Sequence, residues 1–153
     1  MRTIKPLTAA QLPEILSIEQ QAAFAPWSLS LFESCLSHDY FNFVLWVEGK
    51  LCGYYLAQQV LDEATLFNIV VAPDEQGKGY GRTLLQHMLE QAKQRGCHQV
   101  WLEVRASNTA AIALYKAAGF ELTGRRKNYY QGSSGTEDAL VMGLQLSVSS
   151  AQT

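Results

Sequence analysis

Three glycines within five residues, Gly77, Gly79 and Gly81, stand between an apolar run and an amphipathic one, and this arrangement commits the chain to a mixed α/β fold. Ala64 to Ala72 is apolar along most of its length, as a strand buried on both faces would be, and Pro73 ends it. Leu84, Leu85, Met88, Leu89 and Ala92 then recur at helical spacing, and Gly96 suits the stop. Between strand and helix lies Gln76-Gly77-Lys78-Gly79-Tyr80-Gly81-Arg82. Glycines there let the backbone approach an anion without Cβ atoms in the way. The helix behind them presents unpaired N–H groups and the positive end of its dipole. The segment reads as a pyrophosphate cradle with Lys78 and Arg82 adding charge, or else as a plain loop closed by a cap glycine. It matches neither the P-loop, since Gly81 is not followed by Lys and Ser/Thr, nor the dinucleotide G-x-G-x-x-G, since the glycines are spaced by two throughout.

The flanks supply the remaining elements. Thr8 with Gln11 resembles a capping box opening a helix toward Ala22, with Pro13 as a potential kink. Ser28 suits the cap of a second short helix through about Ser37. Phe41–Glu48 and Leu51–Leu61 flank Gly49-Lys50 as an antiparallel hairpin. Val100–Arg105 is a further strand, and Ser107 or Asn108 caps a helix to Ala118 that Gly119 terminates. Phe120 onward returns to strand, Gly132-Ser133-Ser134-Gly135 turns, and Ala139–Leu146 closes the order. The expectation is one α/β domain over residues 1–146, a mixed central sheet with helices on both faces, and a flexible tail over residues 147–153.

Composition removes several function classes. Hydrophobic residues are 48% and charged residues 17% of the 153, which excludes intrinsic disorder. The charge sum, 12 − 14 = −2, gives no nucleic-acid footprint, and Arg125-Arg126-Lys127 reads as a solvated strand edge. No apolar run approaches the roughly 18 residues of a membrane span, and Pro6 and Thr8 interrupt any secretory signal behind Arg2 and Lys5. Cys35, Cys52 and Cys97 are odd in number and lack a C-x-x-C pair, so neither a disulfide scaffold nor a zinc site is indicated. His38, His87 and His98 lack metal-ligand spacing, and His87, opposite the apolar stripe, is expected to be exposed. A monomer in a reducing, cytoplasmic setting, without metal, nucleic acid or membrane, is the expectation.

Two side chains interrupt apolar patterns. Glu103 lies in Val100-Trp101-Leu102-Glu103-Val104 and shares a strand face with Trp101 and Arg105. It reads either as half of an ion pair with Arg105 or as a general base whose proton affinity is raised by desolvation. Tyr115, on the helix after Asn108, reads as core or as an acid.

The pattern Gln76-x-x-Gly79-x-Gly81 resembles the Q/R-x-x-G-x-G/A signature of the GNAT acyl-CoA N-acyltransferase family. Longer segments resemble its branch of ribosomal-protein-alanine N-acetyltransferases. These are Pro26-Trp27-Ser28, Leu61 to Ile69, Trp101 to Asn108, Ala111-Ile112-Ala113-Leu114-Tyr115 and Arg125 to Tyr130, so the resemblance spans almost the whole chain. It implies the GNAT fold and acetyl-CoA as co-substrate, lying in a splay between the two central strands. It implies Gln76, Gly77, Lys78, Gly79, Tyr80, Gly81 and Arg82 on the pyrophosphate, Asn108 as a further cofactor contact, and the main chain of Ile69, Val70 and Val71 along the pantetheine arm. It implies Glu103 as proton acceptor and Tyr115 as proton donor to the departing sulfur.

The same branch implies the N-terminal alanine of small-subunit ribosomal protein eighteen as acceptor. Asp62, Glu63, Glu137 and Asp138 are candidates to meet its basic segment, with Tyr129 and Tyr130 flanking the peptide; all six also read as ordinary loop charges and strand aromatics. An α-amine is neutral in about one molecule in seven at pH 7 and a lysine side chain in roughly one in 2,500, which favours an N-terminus as acceptor for a single modest base. A GNAT enzyme for another N-terminus, a lysine or a small amine, and a non-catalytic acyl-CoA-binding module, are the alternatives.

Overall fold

The computed structural model describes residues 1–23, 26–132 and 135–147. Its strands are β1 (Arg2–Pro6), β2 (Phe43–Val47), β3 (Lys50–Val60), β4 (Glu63–Val71), β5 (Gln99–Arg105), β6 (Glu121–Gly132) and β7 (Gly135–Gln145). Its helices are α1 (Leu12–Ala22), α2 (Leu29–Ser34), α3 (Tyr80–Gln94) and α4 (Thr109–Ala117). The strands form a seven-stranded mixed sheet in the order β1-β2-β3-β4-β5-β7-β6. Contacts divide the chain into two compact units, Met1–Gln58 with Phe67–Met88, and Gln59–Leu66 with Leu89–Thr153.

In the first unit β1, β2 and β3 are successive antiparallel neighbours. The β2–β3 hairpin turns on Glu48 and Gly49, both at positive φ, the backbone a two-residue hairpin needs for its strands' twist. A 3₁₀ turn over Ala9–Gln11 precedes α1, and Gln11 Oε1 accepts from the Thr8 N–H at 2.7 Å. Pro13 therefore falls in the first α-turn, where its missing donor would have no intrahelical partner, and no kink arises. Ser28 caps α2 through the Leu31 N–H, but the helix ends at Ser34 instead of Ser37. Leu12, Ile15, Phe32, Val44, Leu51, Tyr54, Leu56 and Val70 form the core of this unit. Each such aliphatic or Phe side chain removed from water contributes about 1.5–3 kcal/mol. Gly53 on β3 faces Val70 closely: a Cβ there would stand 2.7 Å from the Val70 carbonyl oxygen.

In the second unit β4 and β5 pair in parallel from Glu63↔Gln99 to Leu66↔Leu102, while both strands continue beyond that ladder. β5 pairs β7 antiparallel over its whole length, and β7 pairs β6. The β6–β7 register slips between Arg126 and Tyr130, and Asn128 inside the slip has φ +55°. Asn108 caps α4 by accepting the Ala111 N–H, and Gly119, at φ +105°, follows its end.

Three expectations are corrected. β1 carries no period-two pattern, and the sequence reading passed over it; it forms by pairing with β2. β4 is not buried on both faces: Ala64, Leu66 and Val70 are buried, but Glu63 and Phe67 are exposed and the others half-buried. His87 is half-buried, within 4.6 Å of the Phe43 ring centroid and 2.8 Å from the Tyr55 hydroxyl, and burial pushes its pKa down. The centre of the Ser133-Ser134 turn and the tail beyond Ser147 lie outside the described residues.

Candidate active site

The glycine loop takes the form its composition requires, with one refinement. Gly77 and Gly79 have φ of +81° and +84°, and nothing stands within 4 Å of where a Cβ would be. Both positions therefore need glycine for backbone conformation, and the space beside them is open to a ligand. Gly81 is already inside α3, a conformation that alanine also adopts, consistent with the Gly/Ala choice in the signature. The Gly79 carbonyl accepts the Thr83 N–H at 3.1 Å, so the N–H groups of Tyr80, Gly81 and Arg82 belong to the first turn and have no intrahelical acceptor. This is a construction that binds phosphate oxygens.

Side chains brace the loop. Gln76 Nε2 donates to the Val71 carbonyl at 3.2 Å, tying the loop to the end of β4. Glu75 accepts from Lys50 at 3.0 Å and from Lys78 at 3.1 Å, and those hydrogen bonds hold its carboxyl below the usual range. Lys78 is thus engaged by Glu75, while Arg82 is exposed. The Tyr80 ring is buried, with the Arg2 guanidinium 4.9 Å from its centroid, so Tyr80 offers the loop its main chain and not its phenol. Ile69 and Val71 are half-buried and Val70 is buried.

The second unit gathers a different set of groups. Glu103 is the first β5 residue past the β4 ladder, opposite Val141 on β7. Its Oε2 is fully buried and accepts no hydrogen bond among the described residues, although Arg126 Nε stands 2.5 Å away as an ion pair. Arg105, the cation that the strand face offered, has partners of its own. Arg105 donates to Glu137 at 3.1 Å and lies over the Tyr130 ring, 4.4 Å from its centroid. Tyr115 on α4 is buried, edge-on to Phe120, and its phenol is pushed up to about 12 by burial and then by Tyr130. Tyr130 is itself raised, by burial first and then by the charge of Glu103. Tyr130 thus interacts electrostatically with both Glu103 and Tyr115.

The acidic candidates separate. Asp62 and Glu63 sit at the far end of β5 from Glu103, with Glu63 opposite Gln99 and accepting from Trp101 Nε1. The separation is four residue steps along β5, about 13 Å. Glu137 and Asp138 lie on β7 beyond the other end of β5, and their charges are matched within the chain. Glu137 takes Arg105 and the Ser107 N–H; Asp138 takes Arg125 and the Asn128 N–H. They organise the β6 slip in preference to presenting charge to solvent. Tyr129 is exposed, 51% by area, with Arg126 5.3 Å from its ring centroid. Asn108 is exposed and spends its side-chain oxygen on the α4 cap.

Sequence reading missed Arg126 as the partner of Glu103, treating Arg125-Arg126-Lys127 as a solvated edge; only strand register across β7 reveals the contact. All three cysteines are buried free thiols whose pKa values burial raises, so none is activated as a thiolate.

The acetyltransferase (GNAT) family model matches residues 3–120. The [ribosomal protein bS18]-alanine N-acetyltransferase of Escherichia coli strain K12 is 48% identical over 148 residues, 97% of this chain and 100% of that protein. The Haemophilus influenzae protein of the same name is 41% identical, covering 95% of this chain and 100% of its own. The crystal structure of the ribosomal-protein-S18-alanine N-acetyltransferase from Escherichia coli superposes with a TM-score of 0.94 at 46% identity, covering 100% of this chain and 99% of that one. With a glycine loop opening α3, an underserved carboxylate on β5 and relatives matched from end to end, the chain belongs to the GNAT family of acetyltransferases.

Proposed function

We propose that this protein transfers an acetyl group from acetyl-CoA to the N-terminal alanine of ribosomal protein bS18. The observation that carries the reading is Glu103: a buried carboxylate oxygen with unused hydrogen-bond capacity, in a chain 48% identical along its length to an enzyme of that name. Bound acetyl-CoA supplies an activated thioester. Its pyrophosphate fits the open glycine loop, where the first-turn N–H groups of α3 donate and Gly77 and Gly79 keep the approach clear. Gln76, Lys78, Arg82 and Asn108 are its side-chain candidates, and the main chain of Ile69, Val70 and Val71 borders the acyl end.

Glu103 accepts the proton that the α-ammonium must lose before nitrogen can attack. Tyr115 stands as hydrogen-bond donor to the sulfur that leaves. A phenol near 12 gives a full proton to a thiolate of conjugate acid near 8.5 only uphill, by roughly 5 kcal/mol, so stabilisation by an O–H···S⁻ hydrogen bond is its main contribution. Tyr130, with its ring under Arg105, interacts electrostatically with both groups. Tyr129 is left as a peptide contact, whereas the matched charges of Glu137 and Asp138 favour an organising role and Asp62 and Glu63 lie away from the base.

Two synthetic peptides test the reading. One carries the basic bS18 N-terminus with alanine first; the other is blocked at the α-amine and retains its lysines. Acetylation of the free peptide alone is the expected result. Transfer to both means a lysine-tolerant enzyme, and acetyl-CoA binding with transfer to neither means another acceptor or a binding module.

A further inference from the structure

We propose that Arg126 holds, in the free protein, the place on Glu103 that the acceptor's α-ammonium takes during the reaction, so that substrate entry exchanges one cation for another. The inference rests on Glu103 being the proton acceptor. Register explains the contact. Arg105, Ala139 and Arg126 are cross-strand partners on β5, β7 and β6, and Glu103, Val141 and Gly124 are the next such row on the same face. Ala139 and Gly124 have little or no side chain, so the Arg126 stem can cross β7 diagonally to Glu103. The cation on Glu103's own strand, Arg105, is occupied by Glu137 and Tyr130.

The grip is partial, as an exchange requires. Arg126 meets Glu103 through Nε at 2.5 Å without forming an aligned hydrogen bond, and its side chain is 59% exposed. The carboxylate therefore keeps acceptor capacity that an ammonium, with three N–H donors, would use. A displaced Arg126 has an adjacent place to rest, because the exposed Tyr129 ring already lies 5.3 Å from its guanidinium carbon. Arg126 is also the last residue before the register slip, where β6 leaves its ladder with β7.

The exchange closes a proton cycle. About six α-amines in seven arrive as ammonium at pH 7. The ammonium N–H bond breaks and an O–H bond forms on Glu103, leaving the neutral amine with its lone pair. When product leaves, the proton on Glu103 passes to water and Arg126 returns to the carboxylate. Of the neighbouring titratable or charged groups, Tyr130 on β6 interacts with Glu103, and Tyr130 in turn interacts with Arg105, Tyr129, Glu137 and, on α4, Tyr115.

The test compares wild type, Arg126→Gln and Arg126→Lys with the free-alanine peptide across pH, with acetyl-CoA binding measured in parallel. Arg126→Gln is expected to lower the acceptor KM about two- to fivefold, the range of a partly exposed ion pair. The gain should be confined to the free α-amine, so affinity for the α-blocked peptide should not change. Arg126→Lys should restore the wild-type KM, and acetyl-CoA affinity should not change. An acceptor KM that is raised or unchanged, or an equal gain for the blocked peptide, overturns the proposal. Arg126→Ala serves in the same way if the Gln variant does not fold. If Glu103→Gln leaves kcat unchanged at neutral pH, the base assignment has failed; if Glu103→Gln lowers kcat and Arg126→Gln does not lower the acceptor KM, only the exchange has failed.

Discussion

Tyr54 donates its hydroxyl to Glu19 at 2.7 Å inside the first unit, fixing a carboxylate that is 1% exposed. The Trp27 N–H at 3.0 Å and Asn68 Nδ2 at 3.1 Å complete three donors on Glu19. One buried charge thereby holds α1, β3, β4 and the segment leading to α2. Burial, then the charge of Glu19, drives the Tyr54 phenol well above its ordinary range. Glu19→Ala strands three donors and should destabilise by about 3–5 kcal/mol, whereas Tyr54→Phe removes one of three and should lose about 1–2 kcal/mol. Urea unfolding distinguishes them; equal losses would mean that Glu19 acts only through Tyr54.

Glu103→Gln should reduce kcat about 10²- to 10⁴-fold near neutral pH while acetyl-CoA still binds. The deficit should shrink as pH rises through the α-amine pKa, since a neutral amine no longer needs the base. Steady-state rates between pH 6 and pH 10, with calorimetric binding, provide the check. A deficit independent of pH would assign Glu103 to positioning.

Tyr115→Phe should lower kcat about 10- to 100-fold through loss of a hydrogen bond to a charged leaving group, leaving KM little changed. The same change alters alkaline stability. Because the folded phenol is raised to about 12 against 10 when unfolded, its contribution is intact below pH 10 and is lost as pH climbs through 12. The total is about 2–3 kcal/mol. Urea midpoints at pH 8 and pH 11 should therefore diverge less for the Phe variant than for wild type.

Gly79→Ala and Gly81→Ala should behave oppositely. Residue 79 sits at φ +84°, so alanine there is strained by about 1 kcal/mol or more, and it distorts the loop. Residue 81 is helical, where alanine is favoured by about 0.5–1 kcal/mol. Acetyl-CoA affinity should fall for Gly79→Ala and hold for Gly81→Ala; equal losses at both would show that the helix start itself must move.

His87 should make the fold acid-sensitive. Burial lowers its pKa in the folded state below the unfolded 6.5, so stability is complete above pH 6.5 and declines as pH falls through the folded value. His87→Gln, which keeps a polar group beside Tyr55, should flatten that decline. Thermal unfolding from pH 7.5 to pH 5 tests this.

The parts of this fold written locally were legible. A proline, a cap residue or a positive-φ glycine acts within four residues of itself, which is why the ends of β4, the Asn108 cap and the glycine loop could be placed from sequence. Arg2–Pro6 shows the opposite case: a strand with no alternating pattern exists because β2 offers it a ladder. The chemistry divides in the same way. Glu103 stood out because a charge in an apolar strand is anomalous on its own strand. Arg126 did not, because its importance is a property of two neighbouring strands and of Ala139 and Gly124, whose smallness lets it reach. Glu19 gains its role from Tyr54, Trp27 and Asn68, which converge on it from 35, 8 and 49 residues away and leave no mark on its own helix.

Glu75 has a consequence for kinetics. By gripping Lys50 and Lys78 together while Gln76 fastens the Val71 carbonyl, it leaves the glycine loop already ordered before any phosphate arrives. The entropy of arranging the most flexible residues in the chain is settled during folding and not charged against each encounter. Association with a nucleotide should then run at a rate governed by collision and charge, falling with added salt, with no slow ordering phase, and loosening Glu75 should appear first as a slower on-rate.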